Sequence, residues 1–231
     1  MGESSVADVL ALLDWRRQIA ELYTEIRSAP DARDAWERWR EARARLFREH
    51  PQSPIPGAER DEYTGPHVYD YDPGWRALAS VEPAEPLRLE LPSSGGEPMP
   101  CRRFALASFT AAGSEMKLEC YWLEDYGQGL LIPFADATSA EETYGAGRYL
   151  LDTVKGADLG QQDGRLVLDF NFAYQPSCSY DPRWRCPLAP AANRLGAAVR
   201  AGELLPETVA FRAHPSGPDG DSSHDRQRSS A

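Results

Sequence analysis

A chain of 231 residues suits one domain with accessories or two small ones, and it is long enough to bury a core without disulfide staples. Six Trp and ten Tyr argue against global disorder, and a formal charge of −11 at pH 7 argues against general nucleic-acid binding, which needs clustered Lys and Arg to neutralise phosphates. No apolar run approaches the roughly 18 residues of a membrane span, and MGESSVADVL lacks the basic and apolar regions of a signal peptide, so the expected location is the cytoplasm.

Leu12, Trp15, Ile19, Leu22, Tyr23 and Ile26 recur at helical spacing, which predicts a helix from about Val6 to Arg27 with one apolar face. Ser28-Ala29-Pro30-Asp31 breaks it, and Asp31 is a candidate N-cap for a second helix. That helix carries Trp36, Trp39, Leu46 and Phe47 on one stripe. Arg33, Glu37, Arg40, Glu41 and Arg45 lie on the other, arginine alternating with glutamate as on a solvated, salt-bridged face. Pro51 stops the helix, and His50 can act there as a cation at the helix C-terminus. Residues 1–53 thus read as a helical hairpin covering a β-rich main domain at 54–213, with a disordered tail at 214–231.

Within the main domain, Tyr69-Asp70-Tyr71-Asp72-Pro73 is a turn, and Leu87–Leu91 is a short strand. Arg102–Thr110 and Glu115–Leu123 form a hairpin around Ala111-Ala112-Gly113-Ser114. Leu130–Phe134, Arg148–Val154, Arg165–Phe170 and Ala197–Ala201 read as further strands. Strands that follow one another without helices argue against a doubly wound fold. The expected class is α+β, a helical hairpin packed on a mainly antiparallel, curled or barrel-like sheet.

The stretch from Leu130 to Pro190 is densest in polar, aromatic, glycine and cysteine residues, the mixture of a loop-lined site. Asp136, Glu142 and Asp169 are the candidate catalytic carboxylates for acid–base work. His50, Thr138, Tyr144, Arg148, Asn171 and Tyr174 are candidate ligand-binding residues. Arg148 can hold an anion bidentately, or it can pair internally with Asp136 or Glu142. Asp169 and Asn171 fall in strand phase, either as a wet pocket wall or as a buried network. Cys178 and Cys186 are a candidate disulfide or redox pair, or simply packed thiols; seven residues lie between them and no His accompanies them, which is not a zinc-knuckle pattern. No Gly-x-Ser-x-Gly elbow, His-Glu-x-x-His helix, dinucleotide fingerprint or phosphate loop is present.

Several motifs together carry a resemblance: Leu13-Asp14-Trp15-Arg16-Arg17, His50-Pro51-Gln52-Ser53-Pro54, Pro133-Phe134-Ala135-Asp136-Ala137-Thr138, Glu142-Thr143-Tyr144-Gly145-Ala146-Gly147-Arg148-Tyr149, Asp169-Phe170-Asn171 and the Cys178/Cys186 loop. Over roughly residues 9 to 203 the chain resembles the family called domain of unknown function 1684. The resemblance implies a bacterial or archaeal protein and brings no established activity, cofactor or substrate. Similar sequences tend to have glycine where this chain has Ala146, and glutamate where it has Ala192.

The expected function is binding of a small anionic or polar molecule in a loop-lined pocket, with carboxylate chemistry if the protein is an enzyme. The alternative is a non-catalytic protein-interaction module, acting through the helical hairpin or an exposed aromatic edge at Tyr69–Trp75. A third reading, a flavin-binding split barrel, rests on analogy of fold alone. The sequence specifies no cofactor, and neither nucleic acid nor membrane is an expected partner.

Overall fold

A computed structural model describes residues 5–124 and 127–205. Helix α1 spans Val6–Ser28 and opens on a capping box, in which Ser5 and Asp8 satisfy each other's main-chain N–H groups. Helix α2 spans Ala32–Glu49 and is capped by Asp31, whose side chain accepts from the Asp34 N–H at 2.9 Å. No helix among the described residues is long and apolar enough to cross a membrane.

Seven strands follow: β1 Arg76–Leu91, β2 Met99–Ala111, β3 Ser114–Leu123, β4 Gly129–Phe134, β5 Arg148–Asp152, β6 Gln161–Gln162 and β7 Arg165–Asp169. They form one sheet in the order β5-β4-β3-β2-β1-β7-β6, antiparallel at every junction and curled into a half-barrel. Both faces are covered, so strand residues alternate between two cores. Leu131 and Ile132 are neighbours in β4, yet Leu131 joins the core under the helices and Ile132 joins the core inside the curl. The inner face is built partly from Ala77, Ala79, Ala105 and Ala107, whose small side chains let the curled sheet close around Phe109, Phe134 and Phe170.

Four expectations are corrected. The strand expected at Leu87–Leu91 is only the end of β1, which runs from Arg76 through Pro83 and Pro86. Its other edge pairs with β7 only over Arg76–Ala79, so beyond that point proline costs little, and a bulge between Pro83 and Leu87 absorbs the misfit. The strands expected to reach Val154 and Phe170 stop at Asp152 and Asp169. Each aspartate caps a 3₁₀ turn, at Thr153–Lys155 and Phe170–Phe172. Ala197–Ala201 is not a strand: the Val199 N–H and the Val199 and Ala201 carbonyls bond to the side chains of Asp136 and Arg148 instead of to a neighbouring strand. Nor is Tyr69–Trp75 an exposed edge. Tyr71 and Trp75 are buried against Trp36 and Phe170. The expected tail at 214–231 lies outside the described residues.

The helices and the sheet share one core. Trp36 donates its indole N–H to the Asn171 carbonyl at 3.0 Å, and Trp39 packs edge-on against Phe172. Arg43, on the same buried stripe of α2, meets Glu203 through Nε at 2.7 Å and Nη2 at 2.6 Å. The second Glu203 oxygen accepts from the Gln175 N–H at 2.7 Å and the Tyr180 hydroxyl at 3.2 Å. Removing one partner of such a pair leaves the other charge buried without compensation. Glu203→Ala is therefore expected to lower unfolding stability by about 3–5 kcal/mol in urea titrations. A loss below about 1 kcal/mol, the range of an exposed pair, would contradict the clamp.

Candidate functional site

The sequence-derived site residues fall into separate places. Asp136, Thr138 and Arg148 come together with Thr143 in a buried knot. One Asp136 oxygen accepts from the Thr138 N–H at 2.7 Å and hydroxyl at 2.6 Å, while the other meets Arg148 Nη2 at 2.8 Å. Arg148 also donates to the main-chain carbonyls of Val199, Ala201 and Glu203. Gly147 turns the chain into β5 at φ +95°; a Cβ there would lie 2.5 Å from the Phe134 carbonyl oxygen, so the approach requires glycine. Glu142 lies at the surface, bound to Arg200 at 2.8 and 3.0 Å and to the Tyr69 hydroxyl at 2.8 Å. Those hydrogen bonds hold its carboxyl below the usual range.

Tyr144 packs against Cys178 and Cys186, its hydroxyl 3.8 Å from the Cys178 sulfur. Tyr174 is buried beneath the Arg43 guanidinium, with its hydroxyl 3.4 Å from Asp152. His50 closes α2: its Nδ1 accepts from the Gln52 N–H, and its Nε2 faces Asp14 at 3.3 Å. Position 192, where similar sequences tend to carry glutamate, is exposed on a 3₁₀ turn. The adjacent Asn193 is buried and ties β3 to β4 through Glu119 and Pro133.

Asp169 and Asn171 do come together, in a different way from the strand phase expected. Asp169 ends β7 and Asn171 lies in the 3₁₀ turn that it caps. One Asp169 oxygen accepts from the Asn171 N–H at 3.0 Å and side-chain amide at 2.7 Å. The Asn171 amide also exchanges hydrogen bonds with the Asp72 main chain, at 2.9 and 2.8 Å, which seats the 69–73 turn against it. The second Asp169 oxygen is held loosely, 3.5 Å from the Tyr71 hydroxyl and 3.8 Å from Arg76 Nε.

Asp169 lines a cleft of about 600 Å³ between the α1–α2 junction and the β1–β7 edge. Arg27, Arg33 and Arg76 line it against Asp31 and Asp169, so the cleft is locally cationic in an acidic protein. Arg33 donates to the Tyr71 carbonyl at 3.0 Å and lies over its ring, and Arg27 donates to the Asp158 carbonyl at 2.7 Å. The sequence reading missed Tyr71, Arg76, Arg33 and Arg27; the turn at Tyr71-Asp72-Pro73 was visible, but nothing local joins it to residue 169.

Burial pushes the Asp169 carboxyl up to about 6, against the lowering effects of its Asn171 hydrogen bonds and of Arg76. Burial, then the Asp169 charge, pushes Tyr71 up to about 12. Because the folded-state pKa of Asp169 lies above the ordinary 3.8, its contribution to stability is fully present below 3.8 and is lost as pH rises through about 6. Asp169→Asn keeps an acceptor for Asn171 and removes the buried charge. It is expected to raise stability relative to the native chain by about 1–3 kcal/mol near about pH 7.5 and by little near about pH 4, read from urea midpoints. An equal difference at both pH values would show that Asp169 does not titrate in this window.

Two helices laid over an antiparallel half-barrel, with a carboxylate at the end of one strand under an arginine rim, define an α+β protein with a seam cleft. The chain belongs to the family described as Protein of unknown function (DUF1684), whose model matches residues 61–204. That match takes in the whole sheet, Asp169 and Glu203 and leaves the two helices outside, so the Leu13–Arg17 and His50–Pro54 motifs lie beyond it. The chain is also similar to an uncharacterized protein of Haloarcula marismortui with a solution NMR structure. The two are 36% identical, the TM-score is 0.53, and the match covers 74% of this chain and 95% of that one. No curated protein matches the sequence.

Proposed function

We propose that the protein binds a small anionic or polar molecule in the Asp169 cleft, in the cytoplasm, and that Asp169 serves there as an acid–base group. One observation carries this reading: a buried carboxylate that lines the cleft has one oxygen fixed by Asn171 and the other in only long contact with Tyr71 and Arg76, which line the cleft too. A fixed carboxylate that titrates near neutral pH suits proton transfer. Arg76 and Arg33 supply cations for a carboxylate or phosphate group, and the Tyr71 hydroxyl supplies a donor beside the reacting position. Asp136 and Arg148 then serve the fold, because their charged groups neutralise each other in the knot.

A panel of small carboxylates and phosphomonoesters, read by thermal shift, tests this. At least one class should raise the Tm, and Arg76→Ala and Arg33→Ala should each weaken that ligand about tenfold or more. Asp169→Asn should retain binding and abolish any turnover. A ligand whose affinity neither arginine substitution changes binds elsewhere and would remove the basis of the proposal.

A second reading, a protein-interaction module, also has an observation behind it. Val6, Val9, Leu10 and Leu13 recur at helical spacing on the first turns of α1, each more than half exposed. Leu10→Glu with Leu13→Glu is a milder probe than removal of the hairpin, whose later turns belong to the core.

A further inference from the structure

A second pocket, of about 250 Å³, lies along the same seam between α1, α2 and the loop from Tyr174 to Cys186. Its wall is aromatic, with Trp15, Tyr23, Trp39, Phe47, Tyr174 and Trp184. Arg16, Arg43, Lys155 and Arg185 also line it, and among the described residues no Asp or Glu does. Arg43 is neutralised by Glu203, and Arg185 is bound to Glu97 at 2.9 Å. Arg16 and Lys155 remain, both exposed. An aromatic cavity with cations at its edge fits a flat or apolar molecule that carries an anionic group.

Besides Arg43 Nη2, which is ion-paired with Glu203, two polar atoms in this wall are buried without a hydrogen-bond partner: Gln175 Oε1 and the Trp184 indole nitrogen. Gln175 is 2% exposed; its N–H and its amide nitrogen are bonded, while its side-chain oxygen has no partner. Such groups are rare in folded proteins, and a bound polar molecule would satisfy them.

Cys186 also lines the pocket, and it packs with Cys178 and Tyr144 in one buried cluster. Both cysteines are buried, Cys178 at 3% and Cys186 at 2% exposure, and no disulfide joins them here. We propose that Cys186 and Cys178 form a dithiol that reduces small anionic disulfides admitted to this pocket, with Cys186 attacking and Cys178 resolving. The Cys186 thiolate attacks one sulfur of the disulfide, which breaks its S–S bond and expels one thiolate. Cys178 gives its proton to that thiolate, and its sulfur displaces the second half of the substrate from Cys186. That second thiolate takes up the proton that Cys186 had released. Two protein thiols become one disulfide and one substrate disulfide becomes two thiols, so electrons and protons balance.

The order of attack follows from the pocket, which Cys186 lines and Cys178 does not. The neighbouring Cys178 thiol lowers the Cys186 thiol against the effect of burial, and the Lys155 charge assists. Cys178 is raised, by the neighbouring Cys186 and by burial. Burial pushes Cys101 to about 11 and Cys120 to about 12, which leaves them unreactive.

The test uses the full reduced protein with dithiobis(nitrobenzoate), an aromatic anionic disulfide, and dithiodipyridine, a neutral one. The native chain should release two thionitrobenzoates per protein and end with a Cys178–Cys186 disulfide, located by peptide mapping, with no retained adduct. Cys178→Ser should release one and keep a mixed disulfide on Cys186. Arg16→Glu, at an exposed position, should slow the anionic reagent about three- to tenfold while leaving the neutral one unchanged. The proposal fails if Cys186 reacts only in denaturant, if the native chain accumulates the adduct, or if Arg16→Glu affects both reagents alike. None of these readings depends on Asp169.

Discussion

The Glu203 carboxylate is the contact on which the arrangement rests. It lies fully buried near the end of the described chain and binds Arg43 of α2, the Gln175 main chain and the Tyr180 hydroxyl. Two segments far apart in sequence, α2 and the loop at 175–180, are thereby fixed to one side chain. Burial opposes the charge on Arg43, but Glu203 and the rings of Trp39, Phe47 and Tyr174 around its guanidinium compensate. The helices are held against the sheet in one orientation, and both seam cavities exist because of that orientation. The Asp136–Arg148 knot serves the same end from the other side, since Arg148 gathers the Val199, Ala201 and Glu203 carbonyls and so positions Glu203 itself.

Much of this was legible in the sequence where the signal is local. Both helices follow from apolar spacing and from Asp31 before the second, and the β2–β3 hairpin follows from Ala112-Gly113 between two strand-like runs. The start of β1 was hidden because Pro83 and Pro86 speak against a strand. They are tolerated where β7 no longer pairs with it, a fact of tertiary structure alone. The apparent strand at Ala197–Ala201 has the composition of one, but side chains from the Asp136 knot take its backbone bonds. Glu203 gave no signal, as a single acid near a polar tail. Within the site, the nearness of Asp169 to Asn171 was readable from spacing; Tyr71 and Arg76 were not, because the contacts run between residues 98 and 93 positions apart.

The chemistry at the two ends of the seam differs. At one end the Asp169 carboxylate lines a cleft together with three arginines and Asp31. At the other a thiol pair sits behind aromatic rings with cations at the mouth. The protein as a whole is strongly acidic, so these two cationic linings stand against its net field, and each would draw an anion locally. The shared wall is the helical hairpin, which lies outside the family match even though it completes both cavities.

The central functional claim is that Asp169 presents a carboxyl that exchanges its proton near neutral pH. The most direct measurement is a carbon-13 NMR titration of side-chain carboxyl groups, with the Asp169 resonance assigned by its absence from the Asp169→Asn spectrum. The account predicts a midpoint near about 6, displaced further by a bound anion that contacts Arg76. A midpoint near about 4, the ordinary aspartate value, would mean that the carboxyl is solvated or fully paired in solution and would contradict the account.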